Sequence, residues 1–168
     1  MTNIETKILG FRLRFAQRGD VPLIVKYIRD LAAYEGELDQ VTCTSEVLER
    51  DMFDRGGAEA LIGEFNGVPV GFALFHPTFS TFLGRKGMGL VDLYIEPEMR
   101  GKGFGKTMLS YLAQLAVERD CGRLEWPCHD WNDPAIKLYK KWGAFPISNL
   151  RTYRLCDEAL SEFSKKWR

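Results

Sequence analysis

Residues 90–108, "LVDLYIEPEMRGKGFGKTM", decide the fold, because an apolar strand-like run passes directly into a loop with three alternating glycines. Two nucleotide-binding loops can be tested against this stretch by counting. A P-loop needs a glycine five positions before its Gly-Lys-Thr, and that position is occupied by Arg100. A dinucleotide loop that starts at Gly101 and Gly103 would place its third glycine at Lys106. The sequence therefore argues against both an ATPase and a dehydrogenase.

The glycine loop nevertheless has the properties of an anion site. It precedes a run with helical spacing, so its backbone N–H groups would lie at a helix N-terminus, where the helix dipole favours negative charge. Glycine lets a phosphate approach the backbone closely, and Arg100, Lys102 and Lys106 add positive charge. The spacing Arg100-x-x-Gly103-x-Gly105 predicts a pyrophosphate site. A plain glycine-rich turn between two elements would explain the same spacing.

Composition restricts the partners. The 168 residues carry 23 Lys and Arg against 23 Asp and Glu, whereas a nucleic-acid-binding protein is expected to have a strong positive field. No apolar run approaches the roughly 20 residues that cross a membrane, and the N-terminal "MTNIETKILGFRLRF" lacks the pattern of a signal peptide. We expect a cytoplasmic protein with one domain, residues 1–168, that binds small molecules or peptides and neither nucleic acid nor membrane.

The four cysteines do not form a recognisable site. Cys43, Cys121, Cys128 and Cys156 are scattered without a C-x-x-C pair or zinc spacing, so we interpret them as free, buried thiols and expect no metal. A catalytic pair of Cys128 with His129 is disfavoured, because adjacent residues of a strand point to opposite faces.

Hydrophobic spacing predicts the order strand, two helices, three antiparallel strands, helix, strand, helix, strand and a last helix. The predicted strands are "FRLRFA", "EALIGEF", "VPVGFALFHPTF", "KGMGLVDLYI", "RLEWPC" and "LRTYRL". Asn66-Gly67 predicts a hairpin between the second and third of these, and Pro127 should lie where strand pairing is lost. The order predicts an α+β sandwich with one central mixed sheet.

The strand, the loop and the following helix resemble the core motif of the GCN5-related N-acetyltransferase (GNAT) superfamily. In that motif, [Gln/Arg]-x-x-Gly-x-[Gly/Ala] holds the pyrophosphate of acetyl-coenzyme A. A second motif, an asparagine before a helix that carries a tyrosine, is matched by "WNDPAIKLYKKWGA". The resemblance implies an α+β, three-layer sandwich whose central, mostly antiparallel mixed sheet has a splayed strand pair at the coenzyme site. It also implies acetyl-coenzyme A as co-substrate.

Within the superfamily, the chain resembles the diamine (spermidine/spermine) and thialysine acetyltransferase family. The likeness rests, in order, on "LRFAQRGD", "LAAYEGELDQV", "VGFALF", "VDLYIEPEMRGKGFG", "WNDPAIKLYKKWGA" and "TYRL". It implies acetyl transfer to a primary amine of a small molecule by direct attack on the thioester, and a homodimer.

The resemblance also implies which residues bind the coenzyme. The backbone N–H groups of Leu93 and Ile95 would contact the oxyanion and the pantetheine, and Asn132 would bind the coenzyme, although a helix cap alone explains an asparagine there. The implied contacts are Leu93, Tyr94, Ile95, Arg100, Gly101, Lys102, Gly103, Phe104, Gly105, Lys106, Asn132, Ala135 and Tyr139.

Tyr139 is the implied general acid, which would donate a proton to the departing thiolate. From periodicity alone, Ala135, Leu138, Tyr139 and Trp142 would instead form one buried helix face.

Asp92 is the only charged residue in "GLVDLYI", where strand alternation places it on one face with Leu90 and Tyr94. A buried carboxylate is costly without a partner, so Asp92 predicts a cationic substrate. A solvated strand face or an internal pair with an arginine are the alternatives.

By resemblance, Asp92 lies in the amine site, where it binds an ammonium or relays its proton through water, and Tyr34 and Glu35 line the same site. For the acidic segment around Glu35, an exposed turn is the alternative. Val91 and Leu38 stand where polyamine enzymes carry acids, which favours a shorter amine or a lysine-like amino acid. Peptide acetylation and a non-catalytic acetyl-coenzyme A sensor are the competing functions.

Overall fold

The computed structural model describes residues 3–167. They form two compact units, of which the first ends at Pro127 and the second begins at Cys128. Among the described residues, no helix is long and apolar enough to cross a bilayer.

The first unit contains a mixed sheet of six strands among its described residues. In sheet order these are β1 (Ile4–Glu5), β2 (Phe11–Phe15), β3 (Glu59–Phe65), β4 (Val68–Ser80), β5 (Arg85–Ile95) and β6 (Leu124–Glu125). Each neighbouring pair from β1 to β5 is antiparallel, and β6 pairs with β5 in parallel. The predicted α+β class with a mixed, mostly antiparallel sheet is therefore confirmed.

The helices follow the predicted order. The first unit has α1 (Val21–Glu35), α2 (Ser45–Glu49), which continues into a π-helical turn (Arg50–Asp54), and α3 (Phe104–Glu118). The second unit has α4 (Asp133–Lys141) and α5 (Asp157–Ser164), followed by a 3-10 turn (Lys165–Trp167).

Local chemistry explains why these elements begin and end where they do. Gly36 ends α1 in the left-handed conformation (φ 79°), which costs glycine little. Thr44 caps α2 by accepting a hydrogen bond from the Val47 N–H. Asn66 and Gly67, both with positive φ (51° and 82°), form the predicted hairpin between β3 and β4.

Helices cover both faces of the sheet. On one face, a buried cluster joins Ile24 and Tyr27 of α1 to Phe72 and Leu74 of β4 and to Tyr94 of β5. The other face packs against α3, where the ring of Phe104 stacks on that of Phe11 with their centroids 4.1 Å apart. The sheet and the helices on its two faces give the three layers.

A β-bulge at Val91 changes which residues of β5 share a face. Phe75 of β4 pairs with Leu90, and Leu74 pairs with Asp92, so Val91 is the extra residue. Because Phe75 and Leu74 point to opposite faces, so do their partners. Asp92 therefore lies on the α1 face, and its predicted place on the same face as Leu90 is wrong. Strict alternation fails there because the bulge resets it.

The strands β5 and β6 separate after a very short ladder. They pair only at Met88 with Leu124 and at Gly89 with Glu125, although β5 continues to Ile95. Pro127 follows two residues after the end of β6, as expected for a residue that cannot donate to a ladder. The first unit thus contains the predicted splayed strand pair.

Two elements differ from the sequence prediction. Residues 4 and 5 form an additional edge strand, β1. The segment "LRTYRL", residues 150–155, is not a strand. Its apolar side chains are exposed, including Leu150 and Tyr153 (71% and 89%), so burial does not favour an extended strand there.

The four cysteines are free, as expected. Their predicted burial is wrong for Cys128 and Cys156, which are exposed, and Cys43 and Cys121 are only partly buried. Four isolated cysteines form no periodic pattern from which their burial could be deduced.

Candidate active site

The glycine loop leads from β5 into α3. It begins with a 3-10 turn (Pro97–Met99) and ends at Gly103, the N-cap of the 15-residue α3. Gly101 and Gly103 have φ values of 77° and 85°, which a side chain would strain. The glycines are therefore required by the backbone path that brings the first N–H groups of α3 to the surface.

The loop fits a pyrophosphate group. The first N–H groups of a helix have no acceptor within the helix and lie at the positive end of its dipole. Lys102 and Lys106 are exposed beside them, and an added Cβ at Gly101 would meet no atom within 4 Å, so the backbone there is open to a ligand. Phe104 can contribute only its backbone, because its ring is buried against Phe11.

The backbone of β5 presents donors on the side away from β4. The N–H of Glu96 donates to Val70 of β4 at 2.9 Å, so alternation turns Leu93 and Ile95 to the opposite side, where the ladder with β6 has ended. Tyr94 faces β4 with its backbone and the α1 core with its ring. Leu93 and Ile95 are thus suitably turned for their predicted contacts, whereas Tyr94 lies between the sheet and α1.

Asp92 is an unusual carboxylate. It is mostly buried on the α1 face, and burial, together with the negative charge of Glu35, raises its pKa to about 6. No cation among residues 3–167 forms an ion pair with it. The structure therefore supports neither alternative from the sequence, the solvated strand face or the internal pair with an arginine. A buried carboxylate of this kind favours a cationic ligand.

Tyr34 and Glu35 end α1 near the same strand. Glu35 lies close enough to Asp92 to raise its pKa. The exposed ring of Tyr34 carries the guanidinium of Arg100, whose central carbon is 4.6 Å from the ring centroid. The structure therefore brings these two predicted substrate-site residues together with Asp92 and with the first residue of the loop motif.

In the second unit, Asn132 directly precedes α4 and Tyr139 lies within this helix. Asn132 caps this helix, because its Oδ1 accepts a hydrogen bond from the Ala135 N–H at 3.4 Å. Tyr139 is largely buried, and burial followed by the nearby Cys128 raises the pKa of its phenol. The ring of Trp142 lies edge-on to that of Tyr139, with centroids 6.0 Å apart. The phenol is therefore protonated at neutral pH, as a general acid has to be before it reacts.

Sequence reasoning missed two features of the site. One is the bulge at Val91, and the other is the stacking of Arg100 on Tyr34 and Tyr94. The two glycines that precede Leu90, together with the break in alternation at Val91 and Asp92, are the local features in which the bulge could have been recognised.

A glycine loop at the start of α3, a splayed pair of strands and a carboxylate without a cationic partner among residues 3–167 fit an acyltransferase whose coenzyme carries a pyrophosphate group. Residues 26–144 match the model of the acetyltransferase (GNAT) family. The chain belongs to this family and is an acetyl-coenzyme A-dependent N-acetyltransferase.

Several named proteins are similar to it over most of the chain. A thialysine N-epsilon-acetyltransferase from Bos taurus is 33% identical over 166 residues, which cover 92% of this chain and 97% of the relative. An L-ornithine N5-acetyltransferase from Arabidopsis thaliana is 39% identical over 98 residues, 58% of this chain and 43% of the relative.

The fold is also seen in solved structures. An integron cassette protein from the mobile metagenome of V. cholerae superposes with a TM-score of 0.77 and 23% identity, covering 94% of this chain and 99% of its own. This likeness supports the fold, and the substrate has to be argued from the site.

Among residues 3–167, no group of three or more His, Cys, Asp or Glu side chains is arranged to hold a metal ion.

Proposed function

We propose that this enzyme acetylates a primary amine of a small molecule, namely a short diamine, a polyamine or a lysine-like amino acid. The observation that carries the proposal is Asp92, a buried carboxylate with a raised pKa beside Glu35. Two acidic groups at the end of α1 and on β5 attract a protonated amine more strongly than a neutral acceptor.

A short acceptor is favoured over a long polyamine. Val91 and Leu38, which replace acids of the polyamine enzymes, are 45% and 41% exposed, so neither adds a charge to the surface. The relatives named above are a thialysine and an L-ornithine acetyltransferase, and both names describe an amino acid with a side-chain amine. We infer that the acceptor carries its amine at the end of a short chain.

In the proposed reaction, each of these residues has one role. Asp92 binds the ammonium and relays its proton to water, which leaves a neutral amine. The amine nitrogen attacks the thioester carbonyl, so that a C–N bond forms and the C–S bond breaks. The N–H groups of Leu93 and Ile95 stabilise the oxyanion and align the pantetheine. Tyr139 donates its proton to the leaving thiolate and is reprotonated, through water, by the proton that the attacking nitrogen loses as the amide forms. No covalent enzyme intermediate is formed.

A thiol-release assay tests this function. The protein is mixed with acetyl-coenzyme A and, separately, with diamines, polyamines, thialysine, lysine, ornithine and a set of peptides. We expect release of coenzyme A with a short primary amine, and loss of most of that activity in Asp92→Asn, which has nearly the same shape without the charge.

Each other outcome supports a different function. Thiol release with peptides alone would identify a peptide acetyltransferase. Binding of coenzyme A without release by any amine would favour the sensor, and stabilisation by ATP or NAD in place of coenzyme A would contradict the whole assignment.

A further inference from the structure

The side chain of Arg100 is held by three groups of the protein. Its Nε donates a hydrogen bond to the Ile95 carbonyl at 3.0 Å. Its guanidinium carbon lies 4.6 Å from the ring centroid of Tyr34 and 5.7 Å from that of Tyr94. A side chain that served only as a charge for a phosphate would not need this set of contacts.

These contacts connect the two halves of the site. Tyr34 lies in the last turn of α1 and precedes Glu35, the residue whose charge raises the pKa of Asp92. Arg100 directly precedes Gly101, and its own N–H donates to the Pro97 carbonyl at 3.2 Å, so its backbone starts the coenzyme loop. The Arg100 side chain therefore ties the acceptor end of α1 to the beginning of the loop.

A second connection lies nearby. Lys26 of α1 forms an ion pair with Asp30 at 2.7 Å and approaches Glu96 at 3.6 Å. Glu96 precedes the 3-10 turn of the loop and Arg100 follows it. Helix α1 thus contacts the chain on both sides of this turn, and the contact of Arg100 is the one that reaches the glycines.

The chemistry of the contact requires an arginine. A guanidinium is planar, stacks on an aromatic ring and can still donate through Nε in its own plane, whereas an ammonium is a point charge that cannot do both. The carbonyl of Ile95 faces away from β4, on the side where the ladder with β6 has ended. Arg100 therefore also holds the end of β5, the strand whose backbone borders the gap between the splayed strands β5 and β6.

We propose that Arg100 is a positioning residue that couples the coenzyme loop to the acceptor side through its stack on Tyr34. In this role, Tyr34 raises the affinity for the coenzyme without touching it, because its ring holds the guanidinium that fixes the start of the loop. The proposal rests on one part of the proposed function, the use of acetyl-coenzyme A. It does not depend on which amine accepts the acetyl group.

Calorimetric titration of the full-length protein with coenzyme A tests the coupling. We expect Tyr34→Ala to weaken binding about three- to tenfold, which lies within the range of cation–π contacts between exposed and desolvated sites. Tyr34→Phe keeps the ring and should change the affinity less than about twofold. Arg100→Lys keeps the charge but loses the planar stack, and it should weaken binding about as much as Tyr34→Ala.

The double variant distinguishes coupling from two separate effects. If both single variants lose the same stack of Arg100 on Tyr34, the contact can be lost only once. The double variant Tyr34→Ala with Arg100→Lys should then bind coenzyme A no more weakly than the single variant with the lower affinity. Arg18→Lys is the matched control, because Arg18 lies over the ring of Phe53 at 5.5 Å in another part of the first unit. It should leave coenzyme affinity unchanged, and melting temperatures should confirm that all variants fold.

Three results would overturn the proposal: unchanged affinity in Tyr34→Ala, wild-type affinity in Arg100→Lys, or losses that multiply in the double variant. These results leave the acetyltransferase assignment intact. Failure of the wild type to bind coenzyme A would instead reject the proposed function together with the coupling.

Discussion

Replacing Asp92 by Asn should stabilise the protein by an amount that grows with pH. Burial and Glu35 raise the pKa of Asp92 from 3.8 to about 6. Because the folded state binds this proton more tightly than the unfolded chain, the carboxyl contributes stability below pH 3.8 that is lost as the pH rises through about 6. At 1.36 kcal/mol per pKa unit, the complete loss is about 3 kcal/mol.

The measurable part of this effect is smaller, because the Asp92 carboxyl of the unfolded chain is already mostly ionised in mild acid, at pH ~4.5. With the two pKa values given above, the cost of ionising Asp92 in the folded state is about 1 kcal/mol at pH ~4.5 and about 3 kcal/mol at pH ~8. The free energy of unfolding of Asp92→Asn minus that of the wild type should therefore increase by about 2 kcal/mol between these two pH values.

Urea titrations monitored by circular dichroism measure both free energies. Taking the difference between the two proteins removes the contribution of every titrating group that does not interact with Asp92. Glu35→Gln is the companion variant, because removing that charge should bring the pKa of Asp92 down and reduce the increase. A difference that does not change with pH, or that decreases as the pH rises, would refute the reasoning that Asp92 is a desolvated, unpaired carboxylate.

Three further predictions follow from other parts of the site. Tyr139→Phe should fold normally and lose turnover by about a hundredfold or more, the usual contribution of a general acid; an unchanged rate of thiol release would remove its assignment. Gly103→Ala should cost about 1–2 kcal/mol of stability, because the φ of Gly103 is 85°. Gly105→Ala, inside α3, should instead stabilise the fold by up to about 1 kcal/mol, yet weaken coenzyme A binding if the phosphates approach that backbone. Thermal unfolding measures the change in stability, and calorimetric titration measures the change in coenzyme affinity. Thr44→Ala should cost about 1 kcal/mol by removing the cap of α2, with thiol release unchanged, and a loss of activity would show that α2 takes part in the site.

The fold could be predicted from the sequence wherever a local pattern has one physical meaning. Asn66-Gly67 can form a tight hairpin without strain, and Gly36 can end α1 in the left-handed conformation. The glycine loop is predicted to lead into a helix because apolar residues recur at helical spacing after it, at Met108, Leu109, Leu112, Leu115 and Ala116. The resemblance that indicates the family and the enzyme class rests on that loop, on the second motif "WNDPAIKLYKKWGA" and on the order of the elements, and the family comparison confirms both.

Prediction failed where tertiary context decides. Residues 150–155 alternate like a strand, but their exposed side chains contribute no burial. Alternation predicts one face for Leu90 and Asp92, but the additional residue Val91 places them on opposite faces. The stack of Arg100 on Tyr34 joins residues 66 positions apart in the chain, and no local pattern indicates such a contact. The roles of individual site residues, the homodimer and the cytoplasmic location stay predictions.

The bulge at Val91 divides β5 into two stretches that can be engineered separately. Up to Leu90, the strand belongs to the long hairpin with β4. We expect the tip of this hairpin, a turn at residues 81–84, to tolerate insertions. Beyond Val91, the orientation of each residue of β5 depends on the bulge. Deleting Val91 would therefore turn the carboxylate of residue 92 away from α1 and would reverse the side to which each following backbone N–H of β5 points. Residue 91 therefore tolerates a change of side chain far better than a change in the number of residues.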